Sequence, residues 1–145
     1  MAVTYKNNWK NILTALSSKI MAEMKCPVYS DFYDISKSNH FIKLIPQGSE
    51  QGDVTVNSEH RTFFIDLNYY IAKQSNKKFQ EYIFNQVSIV EALVHDNPTI
   101  SLADGTKAYN LQIGDLDLNI EPEDELEEYF VAGWNMSIEH LSNLG

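Results

Sequence analysis

Asp115, Asp117 and Asn119 stand two residues apart and have the oxygen side chains that open a calcium-binding loop. Such a loop needs glycine at its sixth position and a bidentate glutamate at its twelfth, and here those positions hold Ile120 and Leu126. Leu116, Leu118 and Ile120 alternate with the polar residues, so the period is that of a strand with one wet face. Just beyond come Glu121, Glu123, Asp124, Glu125, Glu127 and Glu128. Paired carboxylates do acid–base chemistry when one of them is desolvated and holds its proton more tightly. A run set around Pro122 reads instead as a solvated connection, an interaction or repulsion surface with no catalytic pair in it.

The other reactive residue types are scattered. His40, His60, His95 and His140 stand at no metal-ligand spacing to one another or to Cys26. Cys26 is the lone cysteine, so no intrachain disulfide forms, and it reads as a small buried hydrophobe at a helix end. No phosphate loop, nucleophile elbow, dinucleotide fingerprint or zinc-protease motif is present. The expectation is a protein with no catalytic residue, no metal and no cofactor.

Charge narrows the partners. Residues 1–90 carry ten Lys or Arg against eight Asp or Glu, whereas residues 91–145 carry twelve acids and one base, Lys107. The net charge of −9 repels phosphate. Lys73, Lys77 and Lys78 make one small basic patch, and Arg61 is the single arginine, so base reading is poorly provided for. The opening residues lack the apolar core of a secretory signal, and no apolar run approaches a membrane span.

These residues need a scaffold, and its elements are legible. Tyr5, Trp9, Ile12, Leu13, Leu16, Ile20 and Met24 recur every three or four residues, which predicts a helix over 5–25 ended by Pro27. Short strands follow at 28–35 and 41–45, the second closed by Pro46. Residues 47–59 read as a long polar hairpin loop, with Gln47, Gly48, Ser49, Glu50 and Asp53 beside a small apolar alternation at Val54 and Val56. Residues 61–71 form the strongest strand, with Phe63, Ile65, Leu67, Tyr69 and Ile71 on one face. Phe64 and Tyr70 make the other face partly apolar. Ser75 or Asn76 caps a second helix running to about residue 96, with Phe79, Ile83, Val87, Val90 and Val94 inward.

A turn-rich link containing Asp104-Gly105 leads to a strand over 111–120. Its apolar parity switches at Gly114-Asp115, the mark of a β-bulge. A last strand alternates through Phe130, Ala132, Trp134, Met136 and Ile138. The chain thus reads as a single α+β domain over 1–145, a mostly antiparallel sheet of four to five strands with two amphipathic helices on one face. Tyr29, Phe32 and Tyr33, with Phe64 and Tyr70, suit either a thick core or an assembly surface.

The order of these elements resembles the tail-terminator, or tail-completion, proteins of long-tailed bacteriophages. The likeness is carried by the opening helix, the paired strands around a long loop, the second helix and the closing strand pair. The ending Phe130-Val131-Ala132-Gly133-Trp134-Asn135-Met136 after an acidic turn adds to it.

The resemblance implies a virion protein assembled in the host cytoplasm. It implies a homohexameric ring that caps the tail tube and meets a head-completion or neck protein, with DNA passing through its lumen unbound. On that reading residues 47–59 reach a neighbouring subunit or the tube. Asp115, Asp117 and the acids of 121–128 line the lumen or an interaction surface. Three alternatives stand beside it: another neck adaptor, an acidic DNA mimic that inhibits a nucleic-acid-binding protein, and a small enzyme whose site assembles only in space.

Overall fold

A computed structural model describes residues 7–30, 40–73, 78–119 and 129–143. The order is α1 (Asn8–Met24), β1 (Val28–Tyr29), β2 (His40–Val54), β3 (Ser58–Ala72), α2 (Phe79–Asp96), β4 (Ile100–Ser101), β5 (Lys107–Asn119) and β6 (Tyr129–Asn143). The class is α+β, and the sheet has six strands in the order β1-β2-β3-β6-β5-β4. Only β1 runs parallel to its neighbour. β1 opens the strand expected over 28–35, of which residues 31–35 lie outside the described residues; β4, which no pattern announced, is two residues long, too short to show a period.

α1 forms where the apolar spacing places it. Asn7 caps it by accepting from the Lys10 N–H at 3.1 Å. It ends at Lys25, whose left-handed φ of 55° lets its N–H reach the Met21 carbonyl, two residues before Pro27. Ile12, Leu16 and Ile20 are buried, whereas Tyr5 lies outside the described residues. α2 starts at Phe79 with Lys78 in the cap position and no side-chain cap bond; the expected caps Ser75 and Asn76 lie outside the described residues. Its inward residues are the five expected plus Leu93.

Both helices cover the same face of the sheet, through Trp9 on Phe63, Gln86 on Tyr69, Glu91 on Trp134 and Phe79 on Phe130. That face is built from Ile42, Leu44, Phe63, Ile65, Leu67, Tyr69, Ile71, Ala132, Trp134, Met136 and Ile138, all buried. α1 touches both β1 and β4, the two outermost strands, so the sheet wraps around it. α1 begins beside Ser142 and ends near β1, while α2 begins beside Phe130 and His40, so the helices run antiparallel.

Two strand expectations need correction. Pro46 does not close a strand, because β2 continues through it to Val54. Among the described residues β1 covers only Ile42 and Lys43, so β2 is an edge strand at Pro46, where a missing N–H is tolerated. The expected loop over 47–59 is therefore mostly sheet, with register shifts at Pro46/Gly48 and Gln51/Val54 that let a polar, glycine-bearing stretch stay paired to β3. By contrast, the parity switch in β5 is a bulge as expected, between Ile113 and Leu116. A second bulge lies between Tyr109 and Gln112, where Asn110 takes a φ of 54°.

Candidate functional site

Of the residues proposed to reach a neighbour, Gln47, Gly48, Ser49, Glu50, Asp53 and Val54 form the outer half of β2, all exposed. Val56 caps the turn and is 93% exposed. The turn is stiff. Thr55 N donates to the Ser58 carbonyl at 2.8 Å, Ser58 N donates to Thr55 Oγ1 at 3.1 Å, and the two hydroxyls meet at 2.8 Å. Arg61 ties the strand down, donating to Ser49 Oγ at 3.0 Å and to Glu59 Oε1 at 2.5 Å. Gln47 hydrogen-bonds the Asp66 carboxyl, holding its proton affinity down, but burial outweighs this and pushes it above the usual carboxylate range. Among the described residues nothing pairs with the outer edge of β2 beyond Lys43, so a row of backbone donors and acceptors faces outward.

Asp115 and Asp117 lie exposed on β5, at the opposite flank. β4 covers only Lys107 and Ala108, so β5 has a second open edge among the described residues. Glu121, Glu123, Asp124, Glu125, Glu127 and Glu128 lie outside the described residues. The structure thus does not bring the hairpin and the described acids together: β3 and β6 separate them.

Three of the four histidines, unconnected in the sequence, meet side-chain partners. His60 Nε2 meets Glu139 Oε1 at 2.9 Å on the helix-free face, where Asn110 also bonds Glu139. Gly52 lies against His60, so that a Cβ there would meet Nδ1 at 2.2 Å. His40 Nε2 lies 3.4 Å from the Tyr82 hydroxyl. His140 is 1% exposed, with Thr106 Oγ1 3.0 Å from Nε2 and Ser142 Oγ 3.1 Å from Nδ1. Thr106 donates to Asp104 Oδ1 at 2.6 Å, and Asn8 donates to Ser142 at 2.8 Å. This chain joins α1, the β4–β5 turn and β6. Its only sequence signal was parity, since His140 continues the inward series of Trp134, Met136 and Ile138.

On the helix-free face Phe41 stacks on Tyr70 at 4.6 Å, and Tyr129 and Tyr29 stand edge-on to Phe41 at 5.3 and 6.1 Å. These rings cover one another, whereas Phe64 stays 37% exposed; Phe32 and Tyr33 lie outside the described residues.

Cys26 is buried, and burial pushes its thiol up to about 11 from 9.0. Since the thiolate is the nucleophile, a colorimetric disulfide reagent at pH 8 is expected to react about a hundredfold more slowly with the native chain than with the denatured one. Equal rates would show that the thiol is open. Among the described residues no group of three or more His, Cys, Asp or Glu could hold a metal ion, and no helix is long and apolar enough to cross a membrane.

No family model and no curated protein matches this chain. A solved structure shares the fold with a TM-score of 0.56 at 10% identity, over 90% of this chain and 91% of its own. The likeness extends to nearly the whole of both chains, and at that identity it shows the fold alone.

Proposed function

We propose that this chain is a structural virion protein, a phage tail terminator. It forms a ring on the end of the tail tube, meets the head-side neck protein, and lets DNA pass. The observation that carries the reading is the outer half of β2, an edge unpaired among the described residues that ends in a turn held by its own hydrogen bonds, with Val56 93% exposed. An apolar side chain so placed is solvated at a cost and gains by burial in another protein. Among the described residues the sheet has two edges that no strand covers along most of their length, on opposite flanks, and a heterologous contact between unlike surfaces builds rings when its rotation closes. Asp115 and Asp117, exposed on β5, would repel transiting DNA if that strand faces the lumen. The chain needs no reaction, metal or cofactor for this task.

Light scattering over a concentration series tests it. The expected mass is six times the 16.6 kDa chain. A strict monomer at the highest concentration would overturn the ring. A monomer or dimer that instead co-purifies with a basic nucleic-acid-binding protein would establish the acidic-mimic reading.

A further inference from the structure

We infer that the β2–β3 turn of one copy docks on the exposed face of α1 in the next copy, with Val54 and Val56 seated against Met21. This deepens the ring reading and rests on it only for the number of copies. Large apolar side chains exposed to solvent stand at the hairpin tip, on the helix layer and, as Phe64, Tyr109 and Leu141, on the strands of the sheet. Val54 and Val56 stand at the hairpin tip, 51% and 93% exposed; Met21, Phe84 and Ile89 stand on the helix layer, 45%, 44% and 40% exposed.

Within one copy the tip cannot reach Met21. The tip lies at the end of the sheet where Asn8 opens α1 beside Ser142, and Met21 is in the last turn of that helix, thirteen residues or about 20 Å further along. The contact must therefore be made between copies, and it joins unlike surfaces.

Charge chooses among the surfaces the tip could meet. From Gln47 to Asn57 the hairpin carries Glu50 and Asp53 and no cation, all exposed. A second hairpin or the β5 edge with Asp115 and Asp117 would set acid against acid. The exposed side of α1 carries Lys10, Lys19 and Lys25 against Glu23, a net positive surface on a chain of net charge −9. Around Met21 the exposed positions Thr14, Ser18 and Ala22 are small, which leaves room for a turn to approach the helix. The turn is already held by three hydrogen bonds, so little ordering is needed on docking.

The test uses the full chain with Val56→Cys, labelled with a benzophenone maleimide; Cys26 is buried and escapes labelling. Irradiation is expected to give inter-copy cross-links to α1 peptides at residues 14–25, and their yield is expected to fall severalfold as salt rises from 50 to 500 mM, which shortens the Debye length about threefold. In parallel, Val56→Asp is expected to keep the wild-type circular dichroism and shift the mass to monomer. Cross-links that miss α1, or a Val56→Asp chain with wild-type mass, would overturn the docking while leaving the ring intact. α1 cross-links in an assembly of another size would support the docking and overturn the hexamer. A wild-type chain that never associates would overturn both.

Discussion

Trp134→Ala is expected to lower the free energy of unfolding by about 3–5 kcal/mol. Trp134 is 2% exposed at the centre of β6, paired in register with Leu67 on β3 and Leu116 on β5. Its ring fills the space under α2, and its Nε1 donates to Glu91 Oε2 at 3.3 Å. Alanine removes the ring from between three strands and a helix, and a sheet held on both flanks cannot collapse into the gap. Domains of this size are stable by about 5–15 kcal/mol, so the loss is about a fifth or more of the total. The check is urea unfolding followed by circular dichroism, with the midpoint falling and the slope unchanged. Trp134→Phe keeps a ring and loses the Glu91 bond, so it is expected to cost only about 1–1.5 kcal/mol. A shift under about 1 kcal/mol for the alanine variant would show that the site is less filled than the structure has it.

That change and Val56→Asp act on different links of the chain from sequence to function. Trp134 holds the sheet to its helices and touches nothing outside. Val56 is almost wholly exposed and supports nothing inside. Val56→Asp is therefore expected to change assembly at unchanged stability, and Trp134→Ala to change stability.

The inward faces of α1, α2, β3 and β6 were legible because their neighbours are long, regular elements. Phe63 to Ile71 and Ala132 to Ile138 alternate without interruption, and the chain buries them without exception on that parity. The bulge at Gly114-Asp115 was equally plain, since a parity change inside a run has few other causes. What escaped was whatever depends on a partner strand. Residues 47–54 have no apolar alternation worth the name, because an edge strand beyond the helices has little to bury on either face. β4 is stitched on by its neighbour and has no period of its own, whereas β1 lies at the start of the strand expected over 28–35. The candidate surface shows the same division. Composition revealed its acidity and the polar hairpin, but the stiffness of the turn and the separation of hairpin from Asp115 and Asp117 arise only from the strand order.

His140→Leu is expected to cost about 2–3 kcal/mol, and the larger lesson lies in its coupling to Thr106. An ionised Asp104 can only accept, so Thr106 gives its hydroxyl proton to that carboxylate and accepts from His140 Nε2–H. On the other side of the ring Nδ1 lies 3.1 Å from Ser142 Oγ, which accepts from Asn8 Nδ2 at 2.8 Å. Thr106→Val alone takes the hydroxyl away from the buried His140 Nε2 and is expected to cost about 1–3 kcal/mol. Once leucine stands at 140, valine at 106 strands no donor there, and the Thr106 amide still bonds Asp104 at 3.0 Å. The double variant is therefore expected to be less destabilised than the sum of the two by about 1–2 kcal/mol. Strict additivity in urea melts of the four proteins would mean that His140 and Thr106 do not share a bond. The tie between the β4–β5 turn and the last strand would then have to be sought in other residues, while Ser142 would still join His140 to Asn8 of α1.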